Sequence, residues 1–147
     1  MAKRTSSLYT QPFHRRETLR FECTGCGACC TGTEESHVFL EPGEAEAIRH
    51  HLGLSTAWFR RRYLARTGEE ETVLAWGAEP GRCVFLGADG RCRIYPVRPL
   101  QCRTYPFWPE VVATRKAWEQ EARRCEGIGR GAPVPLARIE AELERQR

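Results

Sequence analysis

Ten consecutive residues, Phe21–Cys30 (FECTGCGACC), hold Cys23, Cys26, Cys29 and Cys30, half of the chain's eight cysteines. So dense a run of thiols, interrupted by Gly25 and Gly27, fits neither a strand nor the body of a helix. It reads as a loop wrapped around something, with glycine supplying the positive φ and close backbone approach that such a loop needs. A CxxC pair is the shortest loop that lets two thiolates grip one metal ion. Cys23-x2-Cys26-x2-Cys29 extends it to three, the spacing by which bacterial ferredoxins present ligands to a cubane cluster. Neighbouring side chains do not easily converge on one small ion, so Cys30 is expected to reach across to the downstream cysteines: Cys83, Cys92, Cys102 and Cys125. Eight thiolates satisfy two tetrahedral ions, and a single cluster with spare thiols fits the same count.

Other uses of the cysteines are weaker. Eight in 147 residues lies below the ~8–10% density of disulfide scaffolds. A thioredoxin-like pair needs a βαβ setting and leaves six cysteines unexplained. The first twenty residues lack an apolar signal-peptide core, and a cytoplasmic, reducing compartment is the expectation. No apolar run approaches the roughly 20 residues of a membrane span. Lys3, Arg4, Arg15, Arg16 and Arg20 against Glu17 alone account for the whole net charge of +4. The remainder is neutral, which argues against nucleic acid as a partner and leaves metal ions, with a protein partner as an open option.

The pattern predicts an α+β fold: one small domain with short strands, a hairpin and several helices organised around a cysteine metal site. Residues 1–16 are read as a basic flexible tail and 17–147 as the cysteine-cluster domain. Thr18–Glu22 alternates like a short strand. Glu41-Pro42-Gly43-Glu44 opens a helix with Ala45, Ile48 and Leu52 as its buried stripe, closed by Gly53. Ser55 caps a second helix, roughly Thr56 to Arg66, with Phe59 and Tyr63 on one face. Glu71–Trp76 reads as a strand. Cys83–Leu86 and Arg91–Tyr95 read as a hairpin about Asp89-Gly90. Prolines 96, 99, 106 and 109 restrict the next stretch to about one helical turn near Leu100–Cys102. A helix over about Thr114–Arg124 leads to Cys125, GIGRGAPVP is a loop, and Leu136–Arg147 closes the chain as a helix with Leu136, Ile139 and Leu143 in register.

Four thiolates on a zinc ion or a [4Fe–4S] cluster leave negative charge to be offset. Arg91, Arg93, Arg98 and Arg103 bracket Cys92 and Cys102, and Arg98 and Arg103, held by the intervening prolines, are the candidates to donate hydrogen bonds to sulfur. His50 and His51 belong to a helix C-terminus. His37 is a weaker ligand candidate, and His14 has no ligand-like spacing. No P-loop, GxGxxG or HExxH is present, and Gly127–Gly131 lacks the strand that would make it a phosphate loop.

FECTGCGACC, followed by CVFLGADGRCRIYPVRPLQCRTYPFWP and Cys125-Glu126-Gly127, resembles the CxxCxxCC cysteine-cluster family of zinc- or iron-chelating proteins over roughly residues 19–130. All eight cysteines match that pattern, as do Pro96, Arg98, Pro99, Arg103, Pro106 and Phe107. The resemblance implies metal binding through Cys23, Cys26, Cys29, Cys30, Cys83, Cys92, Cys102 and Cys125. Such proteins are often described as containing iron–sulfur clusters, so a [4Fe–4S] cluster, or zinc or iron ions, is the implied cofactor. Longer relatives include flagellin lysine methylases, but no second cofactor-binding fold is evident here, and autonomous catalysis is not expected. Three functions follow: electron transfer or metal handling, a structural zinc module that docks a partner through Trp76, Trp108 or Trp118, and a cluster-dependent redox or methyl-transfer component.

Overall fold

The computed structural model describes residues 11–32, 36–77, 79 and 81–147. In chain order the elements are α1 (Phe13–Arg16), β1 (Arg20–Phe21), α2 (Glu44–Leu52), α3 (Thr56–Tyr63), β2 (Leu64–Arg66), β3 (Thr72–Leu74), α4 (Leu100–Thr104), α5 (Pro109–Val112), α6 (Arg115–Ala122), β4 (Ile128–Pro133) and α7 (Leu136–Arg145). Short 3-10 turns occupy Ala28–Cys30 and Tyr95–Val97. Helices with two short antiparallel strand pairs make this an α+β fold, as expected. The chain forms two compact units. One is the N-terminal segment to Thr24 with Thr104–Arg147, and the other is Gly25–Arg103.

In the first unit β1 pairs antiparallel with β4, Arg20 opposite Pro133 and Phe21 opposite Ile128. Six residues therefore face two, and the surplus bulges out through Gly129 and Gly131, both at positive φ. This corrects the reading of GIGRGAPVP as a loop. Its glycines mask a strand from local pattern, and only the partner at Arg20–Phe21 reveals it. Phe13, Leu19, Phe107, Val111, Val112, Trp118, Val134 and Ile139 form the core. Phe107 anchors it, stacked on Trp118 and edge-on to Phe21. Thr114 caps α6, its hydroxyl accepting the Ala117 N–H at 3.1 Å. In α7 Ile139 is buried and Leu143 packs on the core, but Leu136 is 47% exposed. Two of the three expected stripe residues thus face inward.

Phe13 and His14 are buried, and His14 Nε2 lies 3.2 Å from Glu140 Oε1, which also accepts from Arg15 Nε. The tail's residues 1–10 lie outside the described residues.

In the second unit Ile48, Phe59, Leu74, Phe85 and Ile94 form the core, with Ala45 and Leu52 packed against it. Gly53 ends α2 at φ 68°. Ser55 caps α3 by accepting the Trp58 N–H at 3.3 Å. The helix stops at Tyr63, three residues before its expected end, because Leu64–Arg66 turns extended to pair with Thr72–Leu74. Tertiary pairing overrides the helical pattern there. Tyr63 stacks on Phe85 at 4.9 Å. The expected hairpin is reduced to a Leu86–Cys92 bridge around Gly87–Gly90, because turns replace ladder pairing on both arms. Removing the cap by Ser55→Ala is expected to lower stability by about 1 kcal/mol, read as a shift in urea midpoint at unchanged slope.

Candidate metal centre

Six cysteines belong to Gly25–Arg103, and two segments bring most of them together. Gly25 and Gly27 turn the chain at positive φ into the 3-10 turn Ala28–Cys30. Cys30 C=O then accepts the Cys83 N–H at 2.8 Å. A Cβ built on Gly27 would sit 2.4 Å from Gly90 O, and one on Gly90 would lie 3.6 Å from Cys26 O. The cysteine loop therefore lies directly on the Gly87–Cys92 turn, backbone to backbone. Gly27 is required twice, for its φ and for this approach.

The sulfurs share one electrostatic neighbourhood. A hydrogen bond with Cys29, then burial and the proximity of Cys83 and Cys92, pushes the Cys30 thiol far up. Burial first, then the other cysteines, raises Cys83. It also pushes Cys102 up to about 12, with Cys83, Cys29 and Cys92 adding to the effect. Cys92 is raised by burial and by Cys29. Opposing this, backbone N–H groups of Phe85 and Leu86 donate to the Cys83 sulfur and that of Ile94 donates to Cys92. Amides aimed at sulfur from the residues just downstream favour the thiolate. Sequence spacing did not reveal them, since a backbone donor has no side-chain signature.

Cys29, Cys30, Cys83, Cys92 and Cys102 are thus the group brought together. Cys29 shares this neighbourhood with Cys30, the residue expected to reach across to the downstream cysteines. Cys26 is exposed on the same loop. Cys23 and Cys125 belong to the other unit. There Glu22 N–H donates to Gly127 O at 3.0 Å and Thr24 Oγ1 to Glu126 Oε1. These bonds align the segments carrying the exposed Cys23 and the buried Cys125. Among the described residues, no three His, Cys, Asp or Glu side chains stand ready to hold a metal ion. The fit is one of donor chemistry: soft thiols suit zinc and iron, and each can reorient about χ1 among staggered wells.

The two candidate arginines divide. Arg98 lies near enough for its positive charge to favour the thiolates of Cys92 and Cys102. Its Nε donates to Tyr95 O at 3.0 Å and its guanidinium stacks on the Tyr95 ring at 3.8 Å. Arg103 instead lies 3.6 Å from Glu44 Oε2. His37 stacks flat on Trp76 at 5.5 Å, its Nδ1 buried without a hydrogen-bond partner among the described residues. Of the tryptophans considered for docking, Trp118 is buried and Trp108 packs against the first unit's core, leaving Trp76 at the surface.

A family model, CxxCxxCC, described as "Putative zinc- or iron-chelating domain", matches residues 22–126. No solved structure matches the chain. No helix among the described residues is long and apolar enough to cross a membrane.

Proposed function

Because this chain belongs to the CxxCxxCC family of zinc- or iron-chelating domains, we propose that its eight cysteines are metal ligands and that the protein works in metal handling or electron transfer. Cys26, Cys29, Cys30, Cys83, Cys92 and Cys102 supply the larger set, and Cys23 with Cys125 the smaller. The observation that carries this reading is the packing of the cysteine loop on the Gly87–Cys92 turn, backbone to backbone, with Cys30 C=O accepting the Cys83 N–H at 2.8 Å. Bringing several thiolates together is costly unless a cation neutralises them, and zinc, iron or an iron–sulfur cluster does so. When bound, the metal supplies a positive centre for thiolates, and iron adds a one-electron couple. Arg98 would offset residual negative charge beside Cys92 and Cys102, and the Phe85, Leu86 and Ile94 amides would hold sulfur lone pairs in place.

Within this reading an iron–sulfur cluster of the [4Fe–4S] type is the finer assignment, since the larger set supplies the four thiolates that such a cluster takes. Anaerobic purification followed by elemental and acid-labile sulfide analysis tests it. Iron with sulfide and broad visible charge-transfer absorption is expected; stoichiometric zinc without sulfide would replace the cluster by zinc ions. Protein bearing neither metal after expression in supplemented medium rejects the whole proposal. Loading with zinc in weak buffer at neutral pH should also release protons, because the raised thiols of Cys30, Cys83, Cys92 and Cys102 must ionise to ligate. The affinity should accordingly fall as pH is lowered.

A further inference from the structure

At the start of α2 the Gly25–Arg103 unit contains a cavity of about 360 Å³. Ala47, Pro96 and Val97 give it apolar walls, and its polar side chains are Glu44, Arg98 and Arg103. Glu44 is already committed. Its Oε1 accepts the Glu41 N–H at 2.7 Å, and its Oε2 accepts the Leu100 N–H at 2.6 Å and faces Arg103 Nη2 at 3.6 Å. Glu44 and Arg103 offset each other's charge, so the lining keeps the net positive charge of Arg98. Arg98 has no carboxylate partner among the described residues. It spends Nε on Tyr95 O, while its two terminal nitrogens have no hydrogen-bond partner among the described residues. Stacking on Tyr95 fixes the plane of the fork without occupying it.

A pre-oriented guanidinium with free terminal donors, a second arginine nearby and short hydrocarbon walls form a receptor for planar oxyanions on a small carbon skeleton. We propose that this cavity binds a small polycarboxylate anion, with one carboxylate on the terminal nitrogens of Arg98 and a second toward Arg103. The apolar walls favour a carbon-linked dianion or trianion over compact inorganic phosphate. Because the Arg98 charge also reaches Cys92 and Cys102, the ligand would sit beside the thiol cluster and share this arginine with it. The site does not depend on the cysteines holding metal.

Calorimetric titration of the full chain with tricarballylate tests this, since that tricarboxylate lacks the hydroxyl that makes citrate a strong chelator. Saturable binding is expected. Loss of charge-assisted hydrogen bonds should weaken it about tenfold or more in Arg98→Ala. Arg98→Lys, which keeps the charge but not the fork, should lose about fivefold and carries the test if the alanine variant fails to fold. Arg123→Ala, which changes an exposed arginine that does not line the cavity, should bind within about twofold of the parent protein. Absence of saturable binding overturns the site, as does an equal loss in Arg123→Ala and Arg98→Ala. Displacement by phosphate as effective as by tricarballylate at matched ionic strength overturns the carboxylate assignment. Metal content measured on the same samples keeps a failure here separate from a failure of the metal reading.

Discussion

Stripping the metal under reducing, anaerobic conditions is expected to loosen Gly25–Arg103 far more than Thr104–Arg147. The Gly25–Arg103 core is small, with Ile48, Phe59, Leu74, Phe85 and Ile94 as its buried cluster, and its sheet pairs two three-residue strands. From Gly77 to Tyr95 the backbone is held by turns and isolated bridges, with no strand ladder among the described residues. Ligation would tie Cys26–Cys30, Cys83, Cys92 and Cys102 into one framework, and binding free energy of that kind is folding free energy. A ligand present at about 1,000 times its Kd adds about 4 kcal/mol, so metal removal should lower Tm by about 15 °C or more in a unit of this size. Amide hydrogen exchange should accelerate most over residues 26–32 and 82–98. Helices α6 and α7, packed on the separate core around Phe107 and Trp118, should keep their protection. Unchanged exchange and Tm after complete metal loss would show that the metal is not needed for folding.

Gly27→Ala is expected to impair metal binding much more than Gly25→Ala, although both glycines sit at nearly the same positive φ, 76° and 73°. An alanine in that region costs roughly 1–2 kcal/mol in either position. At Gly25 the added Cβ meets nothing within 4 Å, so that is the whole penalty. At Gly27 it meets Gly90 O at 2.4 Å and Leu86 Cδ1 at 3.0 Å. The first of these is backbone, which cannot swing aside. The cysteine loop must lift from the Gly87–Cys92 turn, adding an overpacking cost of about 1–3 kcal/mol and pulling Cys29 and Cys30 from Cys83 and Cys92. Competition titration with a chromophoric chelator should give at least about a tenfold larger loss of zinc affinity for Gly27→Ala, the equivalent of about 1.4 kcal/mol. Equal losses would mean that the loop and turn do not need this close approach.

These two outcomes turn on contacts that local sequence did not reveal. Gly25 and Gly27 both read as permissive loop glycines, and only the packed turn shows that one faces open space while the other faces a carbonyl. Similarly, Arg98 and Arg103 were equivalent candidates in the RIYPVRPLQCR stretch. Tyr95 then orients the first beside the thiols and Glu44 draws the second to itself. The β1–β4 pairing was also hidden: Arg20–Phe21 finds its partner more than a hundred residues later at Ile128–Pro133, where glycines obscure any strand period. Residues near a cap or on a regular face fared better: Ser55, Gly53, Thr114, Ile48, Phe59 and Ile139 all take the positions that short-range rules assign.

By itself, then, the sequence determined the donor chemistry and the local scaffolding. Eight thiols at these spacings specify a soft-metal family, and capping, periodicity and glycine placement act within a few residues. Tertiary structure decided which loops meet. It packs the Cys26–Cys30 loop on the Gly87–Cys92 turn, joins Cys30 to Cys83 by a backbone hydrogen bond, and assigns Cys23 and Cys125 to the other unit. The physical reason is range. Propensity and spacing describe neighbours in the chain, whereas a field shared by sulfurs more than fifty residues apart exists only after backbone hydrogen bonds and close packing have brought their loops together.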